Sequence, residues 1–545
     1  MMKRTLLLLA LFMSFLSPAQ EINWEDWSPE VFERAKAEGK LILLHLEANW
    51  CHWCHVMEQE TYANEEVASY VNENYIAIHA DQDKNPVLGN RYRAYGWPAI
   101  ILFNSDIKEV NKIAGYRSPS TFINILRNAI ANPVALQAKT REYSENQSVS
   151  EQWQQRYVGT LDTVVGGYRS AQKYVDEALF DWSMLQPNSR VSNRWLEVSM
   201  RGSLELIDSE WGGIYQYSVH YGWTDPHYEK LVEKQARYIR LYAQWFQQTG
   251  DSTYLRAMLD VVKYTDEFLS APDGRWFTAQ DADLRKGVKG HDFFALDSAA
   301  RFDVGMPAID SNLYVEQNGT MITAYVYAWA ATGNQAYLER ARNAFSAMNQ
   351  MKYDGLYSND GDLLSLRDQL NVIEALYTLY NAENQSEYIV ELKSLVDNTL
   401  DRFYVDGEFV PWIAEMGLEP EFDLELQCRT LGVLKSANSI LDQERIEEVC
   451  QSVWSQLQSP DLLSTPYSMP EWKIAERMME QEVGSLYIAG NEIERQKGRR
   501  VAILLPDRNH RIIETELDNP ELESYSQVPG VYLCRDGRCQ FPILF

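Results

Sequence analysis

Basic side chains are scarce relative to acidic ones in this chain of 545 residues. It has 50 lysines and arginines against 78 aspartates and glutamates, a formal charge of -28. Proteins that bind nucleic acid or an anionic membrane surface carry the opposite balance, because cations must neutralise the phosphates. The composition therefore argues against nucleic acid and anionic membranes as partners.

Long apolar runs are absent after the first twenty residues. Lys3 and Arg4 precede an apolar stretch from Leu6 to Leu16, which small residues follow. This pattern predicts a secretory signal peptide over residues 1–19, without a lipoprotein cysteine and too short to span a bilayer. Because no later segment reaches ~18 uninterrupted apolar residues, we expect a soluble exported protein, periplasmic or extracellular, without membrane insertion.

Cysteine is also sparse, with six residues, and only Cys51 and Cys54 form a Cys-x-x-Cys pair. The run Leu41 to Leu46 predicts a buried strand and residues 47–49 a turn, so Cys51 stands at a helix N-terminus. Unpaired backbone N–H groups and the helix dipole stabilise a thiolate there. We therefore expect Cys51 to have a lowered pKa and act as nucleophile, and Cys54 to resolve the mixed disulfide.

The same Cys-His-Trp-Cys-His stretch has other interpretations. It spells a c-type haem attachment site, offers four zinc ligands, and could be inert structure. Haem attachment does not need a strand immediately before the motif. Zinc normally takes a second ligand pair, and no other Cys-x-x-Cys or His-x-x-x-His is present. The context therefore favours the redox interpretation, with no cofactor and no metal.

The segment after the motif predicts alternating helices and strands. Asn64 caps a helix through Asn72, and residues 75–80 read as a strand. A strand opens at residues 97–100, residues 110–114 read as an edge strand, and Ser118-Pro119 starts a final helix. This order is that of a thioredoxin-like domain.

These motifs resemble the thioredoxin fold, and more narrowly the family that includes spermatogenesis-associated protein 20 and its bacterial relatives. The resemblance is carried by four segments: Cys51–Met57, Glu65–Ala68, Val71–Tyr75 and Gly96–Pro98. It implies that Pro98 is the cis-proline that faces the two sulfurs and keeps a substrate strand in register.

One position departs from the thioredoxin pattern. Six residues before the first cysteine, thioredoxins usually bury an acid that accepts a proton, and this chain has His45 there. Two interpretations stay open: Glu47 substitutes for that acid, or His45 packs under the sheet as satisfied structure.

From about residue 150 to 490 the chain reads as long amphipathic helices with an internal repeat. Three loops align, at residues 249–255, 332–338 and 383–389. In the first two, glycine ends one helix and Asp or Asn helps begin the next. About twenty residues later each copy has an Asp-Gly turn that presents an aromatic residue: Trp276, Tyr357 or Phe409. Stacked helical hairpins of this kind run on as a solenoid or close as a ring.

The family resemblance decides for the ring, since it extends over nearly the whole mature chain. It implies an (α/α)6 toroid similar to sugar epimerases and six-hairpin glycosidases. The matching segments are Gly166–Tyr168, Gly212–Tyr215, Tyr217–Val219, Trp223, Pro226–Lys230, Gln280–Asp283, Asn318-Gly319, Val531–Cys534 and Cys539-Gln540. The element Lys173-Tyr174-Val175 departs from the family pattern, as does the segment after Asp283.

Toroid enzymes of this kind place proton donors and acceptors around a central pocket. The candidates here are His227, Glu229, Asp281, Asp283 and Asn318. We expect them around one concave pocket lined by tyrosine and tryptophan. Structural roles at the hairpin entrance and in turns remain open, as does a binding platform without catalysis.

The carboxyl end contains a second cysteine pair. Asp536-Gly537 is a strong signal for a type I′ hairpin turn, which places Cys534 opposite Cys539. Cα atoms at such a pair lie about 4.5 Å apart, which permits a disulfide. A pair of reduced thiols, or a second metal or redox site, remains the alternative. The pairing of Cys428 and Cys450 is not predicted.

The sequence thus predicts a multi-domain protein: a signal peptide (1–19), an α/β thioredoxin-like domain (20–135), an all-α toroid (150–490) and a β-containing carboxyl segment (498–545). The first functional hypothesis is an exported thiol-disulfide oxidoreductase acting on a protein thiol or disulfide. The second is a sugar epimerase or glycosidase with an ancillary redox domain, and the third is a non-catalytic binding scaffold. A saccharide is the second expected ligand class.

Overall fold

The computed structural model describes residues 21–136, 147–414, 417–464, 469–517, 528–535, 538–540 and 543–544. The predicted signal peptide lies outside these ranges. The chain divides into two compact units, one mainly before residue 138 and the other mainly after it. Within the described ranges, no helix combines the length and the apolar character that crossing a membrane requires.

The first unit is a five-stranded sheet with helices. Its elements are β1 (Trp24–Glu25), α1 (Pro29–Glu38), β2 (Leu41–Glu47), α2 (His52–Val56), α3 (Glu65–Asn74), β3 (Tyr75–Asp81), α4 (Pro86–Tyr92), β4 (Ala99–Phe103), β5 (Glu109–Ala114) and α5 (Pro119–Ala131). The strand order is β1-β3-β2-β4-β5; β3 is parallel to β1 and β2, and β4 is antiparallel to β2 and β5. The predicted thioredoxin-like order is confirmed.

Strand β2 is buried along its whole length. Leu43 joins the apolar cluster on one face of the sheet, and Leu44 joins the cluster on the other. Because side chains alternate along a strand, His45 and Glu47 share the face of Leu43. Glu47, expected in the turn, is the last residue of the strand.

The helix starts of this unit follow from local chemistry. The Asn64 side chain accepts hydrogen bonds from the backbone N–H groups of Glu66 and Val67, so α3 begins where the sequence predicts. Pro119 occupies the first turn of α5, where a missing N–H costs no hydrogen bond.

The second unit is mainly helical. Its helices are α6 (Val149–Thr160), α7 (Glu177–Met184), α8 (Arg190–Ser203), α9 (Val232–Thr249), α10 (Ser252–Phe268), α11 (His291–Phe294), α12 (Ser298–Val304), α13 (Val315–Thr332), α14 (Gln335–Met348), α15 (Leu366–Glu383), α16 (Ser386–Phe403), α17 (Leu424–Leu441), α18 (Glu444–Gln456), α19 (Met469–Glu480) and α20 (Glu492–Leu504).

Short strands form hairpins between these helices, and longer ones form a sheet at the carboxyl end. The short strands are β6 (Tyr217–Ser218), β7 (Pro226–His227), β8 (Lys230–Leu231), β9 (Ala279–Gln280), β10 (Ile309–Asp310), β11 (Lys352–Tyr353), β12 (Leu356–Tyr357), β13 (Leu364–Ser365), β14 (Tyr404–Val405), β15 (Glu408–Phe409) and β16 (Trp412–Ile413). The carboxyl-terminal strands are β17 (Gly484–Ala489), β18 (His510–Thr515), β19 (Gly530–Arg535), β20 (Arg538–Cys539) and β21 (Ile543–Leu544).

Six helices of the described chain contact one another in a closed ring, in the order α7, α9, α13, α15, α17, α19 and back to α7. A second helix packs on each ring helix: α8, α10, α14, α16 and α18 each follow their partner in sequence, whereas α6 packs on α19. The outer layer is thus completed by α6, which precedes α7 in sequence, and the contact of α19 with α7 joins the two ends of the helical region. The predicted (α/α)6 toroid is therefore present.

The loop repeat marks the hairpins as predicted. Gly250 and Gly333 end α9 and α13 in the left-handed conformation, with φ of 70° and 75°. Asn384 takes the same role after α15. A further copy, which the sequence comparison missed, follows α17, where Asp442 has φ of 54°.

A side-chain amide clamps the turn before each of four ring helices, α9, α13, α15 and α17, to the helix that follows it. Gln369, the fourth residue of α15, accepts a hydrogen bond from the Tyr357 backbone N–H at 2.8 Å and donates to the Tyr357 carbonyl at 2.7 Å. The fourth residues of α9, α13 and α17 do the same: Gln235 with Ile214, Asn318 with Trp276, and Gln427 with Phe409. The repeat is thus a hydrogen-bonded unit as well as a sequence pattern.

The carboxyl-terminal sheet has the order β18-β17-β19-β20, with β21 on β19. It begins at Gly484, earlier than the predicted start of this segment at residue 498. Helix α20 packs on this sheet and also contacts the ring helices α13 and α15. The sheet therefore belongs to the same compact unit as the toroid.

Candidate functional site

The cysteine pair lies where strand β2 gives way to helix α2. Cys51 and Cys54 are joined by a disulfide, with Cα atoms 5.3 Å apart. Cys51 is the residue before the first turn of α2, and its Sγ accepts a hydrogen bond from the Cys54 backbone N–H at 3.1 Å. The helical path continues through a π-helical stretch, Met57–Tyr62. The sulfur of Cys51 thus faces the donor end of a helix.

The two sulfurs differ in exposure. Cys54 is fully buried, whereas Cys51 keeps 5% of its surface. Trp53, between them, is 41% exposed, and its ring lies 5.9 Å from that of Tyr116. Access to the disulfide is therefore through Cys51, next to an aromatic surface.

Pro98 stands beside this motif in the sheet. The Trp97–Pro98 peptide bond is cis. Strands β2 and β4 pair with Leu46 opposite Ala99, so the register places Pro98 next to the end of β2 from which the motif starts. The backbone thus brings all three predicted redox residues to one end of the sheet.

His45 and Glu47 are both buried on the face of the sheet that carries Met57 and Tyr62. Burial lowers the pKa of His45. Burial raises the pKa of Glu47, but His45 and His79 lower it by more, so the pKa lies below its ordinary value. Glu47 in turn raises the pKa of His79 against the effect of burial. His45 is therefore packed under the sheet, and Glu47 is an ionised neighbour.

The predicted toroid residues fall into two groups. The antiparallel strands β8 and β9 pair Lys230 with Gln280, so their continued register places Glu229 opposite Asp281. His227 stacks on Tyr217 with ring centroids 4.4 Å apart, and its Nδ1 lies 3.8 Å from the Glu229 carboxylate. His227, Glu229, Asp281 and Asp283 thus lie on neighbouring backbone segments before α9 and after β9.

Asn318 has a different environment. It is fully buried, its Oδ1 accepts from the Trp276 N–H at 2.8 Å, and its Nδ2 donates to the carbonyls of Trp276 and Tyr314. Its amide is occupied by backbone, so the structure assigns it to the clamp.

A second polar group, which the sequence analysis missed, lines the start of the ring helices. The first turns of these helices carry acids, and arginines lie among them. Arg367 pairs with Glu425 at 3.1 Å, and Arg237 lies 3.6 Å from both Glu177 and Glu233. An acidic first turn in successive ring helices was the available signal, but acids are common there because of the helix dipole.

Three carboxylates in this group influence one another: Asp176 before α7, Glu425 in α17 and Glu471 in α19. Burial raises the pKa of Glu471 well above its ordinary value, and Glu425 and Asp176 raise it further. Burial also raises the pKa of Asp176. By contrast, Arg240 and Arg237 lower the pKa of Glu177 to about 2 against the effect of burial. Carboxyl groups with raised and with lowered pKa values thus lie at the starts of helices of one ring.

The remaining cysteines are placed as follows. Cys534 and Cys539 are bonded across β19 and β20, with Cα atoms 3.8 Å apart, and Arg535 faces Arg538. The predicted turn residues Asp536 and Gly537 lie outside the described ranges. Cys428 and Cys450 are buried free thiols whose pKa values are raised by burial.

Comparison with known proteins agrees with this architecture. Residues 14–138 match a family model described as "Thioredox_DsbH: Protein of unknown function, DUF255". Spermatogenesis-associated protein 20 of Mus musculus is 26% identical over 316 residues, which are 49% of this chain and 40% of the relative. The chain thus spans less than half the length of that relative.

Two further similarities concern the separate units. The thiol:disulfide interchange protein DsbD of Yersinia pestis (strain Pestoides F) is 28% identical over 103 residues, 18% of this chain and 17% of that protein. A sugar epimerase from a ruminal bacterium superposes on 60% of this chain and 95% of its own, with a TM-score of 0.46 and 14% identity. The resemblance to spermatogenesis-associated protein 20 is therefore confirmed over about half of the chain, with a DsbH-type thioredoxin-like domain in its first unit.

Proposed function

We propose that this protein is an exported thiol-disulfide oxidoreductase that uses Cys51 and Cys54. The observation that carries the proposal is the hydrogen bond from the Cys54 N–H to Cys51 Sγ at the start of α2. A donor in this position stabilises a thiolate more than a thiol, which favours nucleophilic attack by Cys51.

The exchange balances as two electron-pair displacements. The Cys51 thiolate attacks one sulfur of a substrate disulfide, forms a mixed disulfide and releases the other substrate sulfur as a thiolate. Cys54, once deprotonated, attacks Cys51 Sγ, closes the Cys51–Cys54 disulfide and releases the second substrate thiolate. The substrate gains two electrons, and the reverse sequence oxidises a dithiol.

The surroundings support a protein substrate. Trp53 is exposed within the motif and lies beside Tyr116, and aromatic groups of this kind provide contact area for a polypeptide. Pro98 precedes β4 at the same end of the sheet. The acidic net charge favours partners other than nucleic acid or anionic lipid.

Export rests on the predicted signal peptide. An oxidising compartment outside the cytoplasm is also where a Cys534–Cys539 bond persists. Periplasmic or extracellular location is thus part of the proposal, and a fractionation experiment on the native chain with its first twenty residues tests it separately.

The principal test measures reduction of a model protein disulfide by the purified full chain in the presence of a thiol reductant. Cys51→Ser should abolish turnover. Cys54→Ser should retain attack but accumulate mixed disulfides, visible on non-reducing gels. Cys428→Ser, at a buried free thiol, is the matched control and should keep the activity. Turnover by Cys51→Ser would overturn the assignment.

A second candidate activity concerns the toroid, and the pair Glu471 and Glu425 favours it. A carboxyl group whose pKa is raised by burial, beside one that forms an ion pair with Arg367, is an arrangement suited to proton transfer to and from a sugar. We therefore propose carbohydrate-active chemistry, with a saccharide as ligand and Asp176 in the same group.

A panel of mono- and disaccharides, screened by thermal shift and then for isomerisation or hydrolysis, tests this second activity. The Glu471→Gln variant should lose activity on any sugar that the wild-type protein converts. Glu448→Gln, at an exposed glutamate of α18, should not. Equal turnover by both variants would exclude Glu471 as the proton donor.

A further inference from the structure

A cluster of metal-binding side chains lies in the first unit, outside the cysteine pair. His45 and Glu47 come from β2, and His79 comes from the neighbouring strand β3, where it pairs in register with His45. One ligand atom from each of the three side chains lies within 4.8 Å of the others. Parallel strands thus bring two imidazoles and one carboxylate to one face of the sheet.

Both imidazoles approach the Glu47 carboxylate through Nε2. His79 Nε2 lies 3.0 Å from Glu47 Oε1, and His45 Nε2 lies 3.5 Å from Glu47 Oε2. Both Nε2 atoms are buried, and neither meets the angular geometry of a hydrogen bond with a described residue. The carboxylate oxygens are therefore close to these nitrogens without lying along their N–H directions.

These separations suit ligands that share a metal ion. Zinc binds nitrogen and oxygen ligands at about 2.0–2.2 Å, which places neighbouring ligands roughly 3.0–3.5 Å apart. The two distances, each to a different oxygen of Glu47, fall in that range, which suits a carboxylate that binds the ion through both oxygens. A direct hydrogen bond between His79 and Glu47 would satisfy one distance, but it would leave the buried Nε2 of His45 unexplained.

The other nitrogen of His45 is already held. His45 Nδ1 and Tyr62 Oη lie 2.9 Å apart, and both residues are buried. When Nδ1–H donates to Tyr62, the lone pair of Nε2 faces the cluster, as in metal-binding histidines whose second nitrogen has a fixed partner. Glu58 Oε1, 3.9 Å from His79 Nε2, is a carboxylate within reach of a fourth position.

We propose that His45, Glu47 and His79 form a binding site for a divalent transition-metal ion of the zinc class. Two imidazoles with one carboxylate favour such an ion over calcium or magnesium, which prefer oxygen ligands. The site is distinct from the Cys51–Cys54 disulfide and does not depend on the proposed redox activity. The side chain of His79 is 34% exposed, which provides access from solvent.

The test is zinc binding by the full chain without an affinity tag. A Cys51→Ser/Cys54→Ser background removes thiolates that could themselves bind zinc. After chelation and dialysis, we expect one equivalent of zinc to bind, measured by elemental analysis and by competition with a chromophoric chelator. Cobalt should give a visible ligand-field band without the sulfur charge-transfer band that thiolate ligands produce.

Variants decide whether the cluster is responsible. His79→Gln and Glu47→Gln should weaken zinc binding more than 10-fold, and Tyr62→Phe should weaken it about 10- to 100-fold, as loss of an orienting partner does. His220→Gln, at a histidine whose side chain is 82% exposed, is the control and should bind as the parent does. Circular dichroism shows whether each variant is folded.

The outcomes separate cleanly. Absence of stoichiometric binding by the parent would overturn the proposal, as would equal affinity of the parent and the folded His79→Gln variant. A rise in Tm with zinc in the parent that His79→Gln loses would support it, because a ligand of the native state stabilises that state.

Discussion

Replacement of Asn318 by leucine tests whether the amide clamp, rather than a ligand, uses this side chain. Leucine resembles asparagine in shape but has no hydrogen-bonding atoms. The variant leaves the backbone N–H and carbonyl of Trp276 without their partner, and Trp276 is fully buried. The Tyr314 carbonyl keeps the helical bond from the Asn318 N–H.

The expected loss follows from these two groups. An unsatisfied buried polar group costs about 1–3 kcal/mol, so two of them cost roughly 2–6 kcal/mol. With an unfolding entropy of about 2.1 cal/mol/K per residue, a unit of roughly 400 residues loses about 2–7 °C in Tm for that free energy. Gln369→Leu removes the same pair of bonds at Tyr357 and should give a loss of similar size.

Differential scanning calorimetry provides the measurement, because it resolves the transition of the toroid from that of the other unit. Asn343→Leu, at an exposed position of α14, is the control and should shift Tm by less than about 1 °C, since surface substitutions usually change stability by at most ~0.5 kcal/mol. A wild-type Tm for Asn318→Leu, together with loss of a sugar-dependent activity, would refute the clamp and return Asn318 to the predicted pocket.

Three further predictions use other buried groups. Asp208 forms ion pairs with both Lys230 and Arg301, at 2.7 and 2.6 Å. Asp208→Asn should therefore lower the free energy of unfolding, measured by thermal unfolding, by about 3–5 kcal/mol. Lys230→Met should cost less than half as much, because it keeps the Asp208–Arg301 pair and removes a lysine whose pKa burial lowers to about 8; equal losses would contradict this. Burial lowers the pKa of His510 from 6.5 to about 4. The contribution of this neutral imidazole to stability is therefore present above pH 6.5 and is lost, by roughly 3 kcal/mol, as pH falls toward 4. In His510→Gln, Tm should vary less with pH between 6.5 and 4 than it does in the wild-type protein. Reduced Cys51 should be alkylated by iodoacetamide at pH values below the free-cysteine pKa of ~8.5, and a rate profile like that of free cysteine would contradict the role of the helix start.

Much of the fold was predictable because its signals are local. The strand before Cys51, the Asn64 cap and the Pro119 helix start each depend on residues a few positions apart, and each occurs as predicted. The closed ring was not predictable from the repeat alone, since stacked hairpins also form solenoids. Contact between α7 and α19 decides it, and those helices are far apart in sequence.

The sites were less predictable because their residues meet only in three dimensions. Asn318 matched a family segment, but its partner is the backbone of Trp276, which no side-chain pattern reveals. Asp176, Glu425 and Glu471 come from three ring helices, and each looks like an ordinary acid near a helix start.

Buried polar side chains of this chain differ in whether their hydrogen-bonding atoms are satisfied. The amides of Gln369 and Asn318 use both their donor and their acceptor on backbone. By contrast, His45 Nε2 and Glu471 Oε2 are buried without a hydrogen-bond partner among the described residues. Such atoms cost free energy, so a stable fold keeps them few, and those that remain call for a physical reason. A bound ligand or a transferred proton would supply that reason, and the proposed metal site and the proposed proton donor lie at these two atoms.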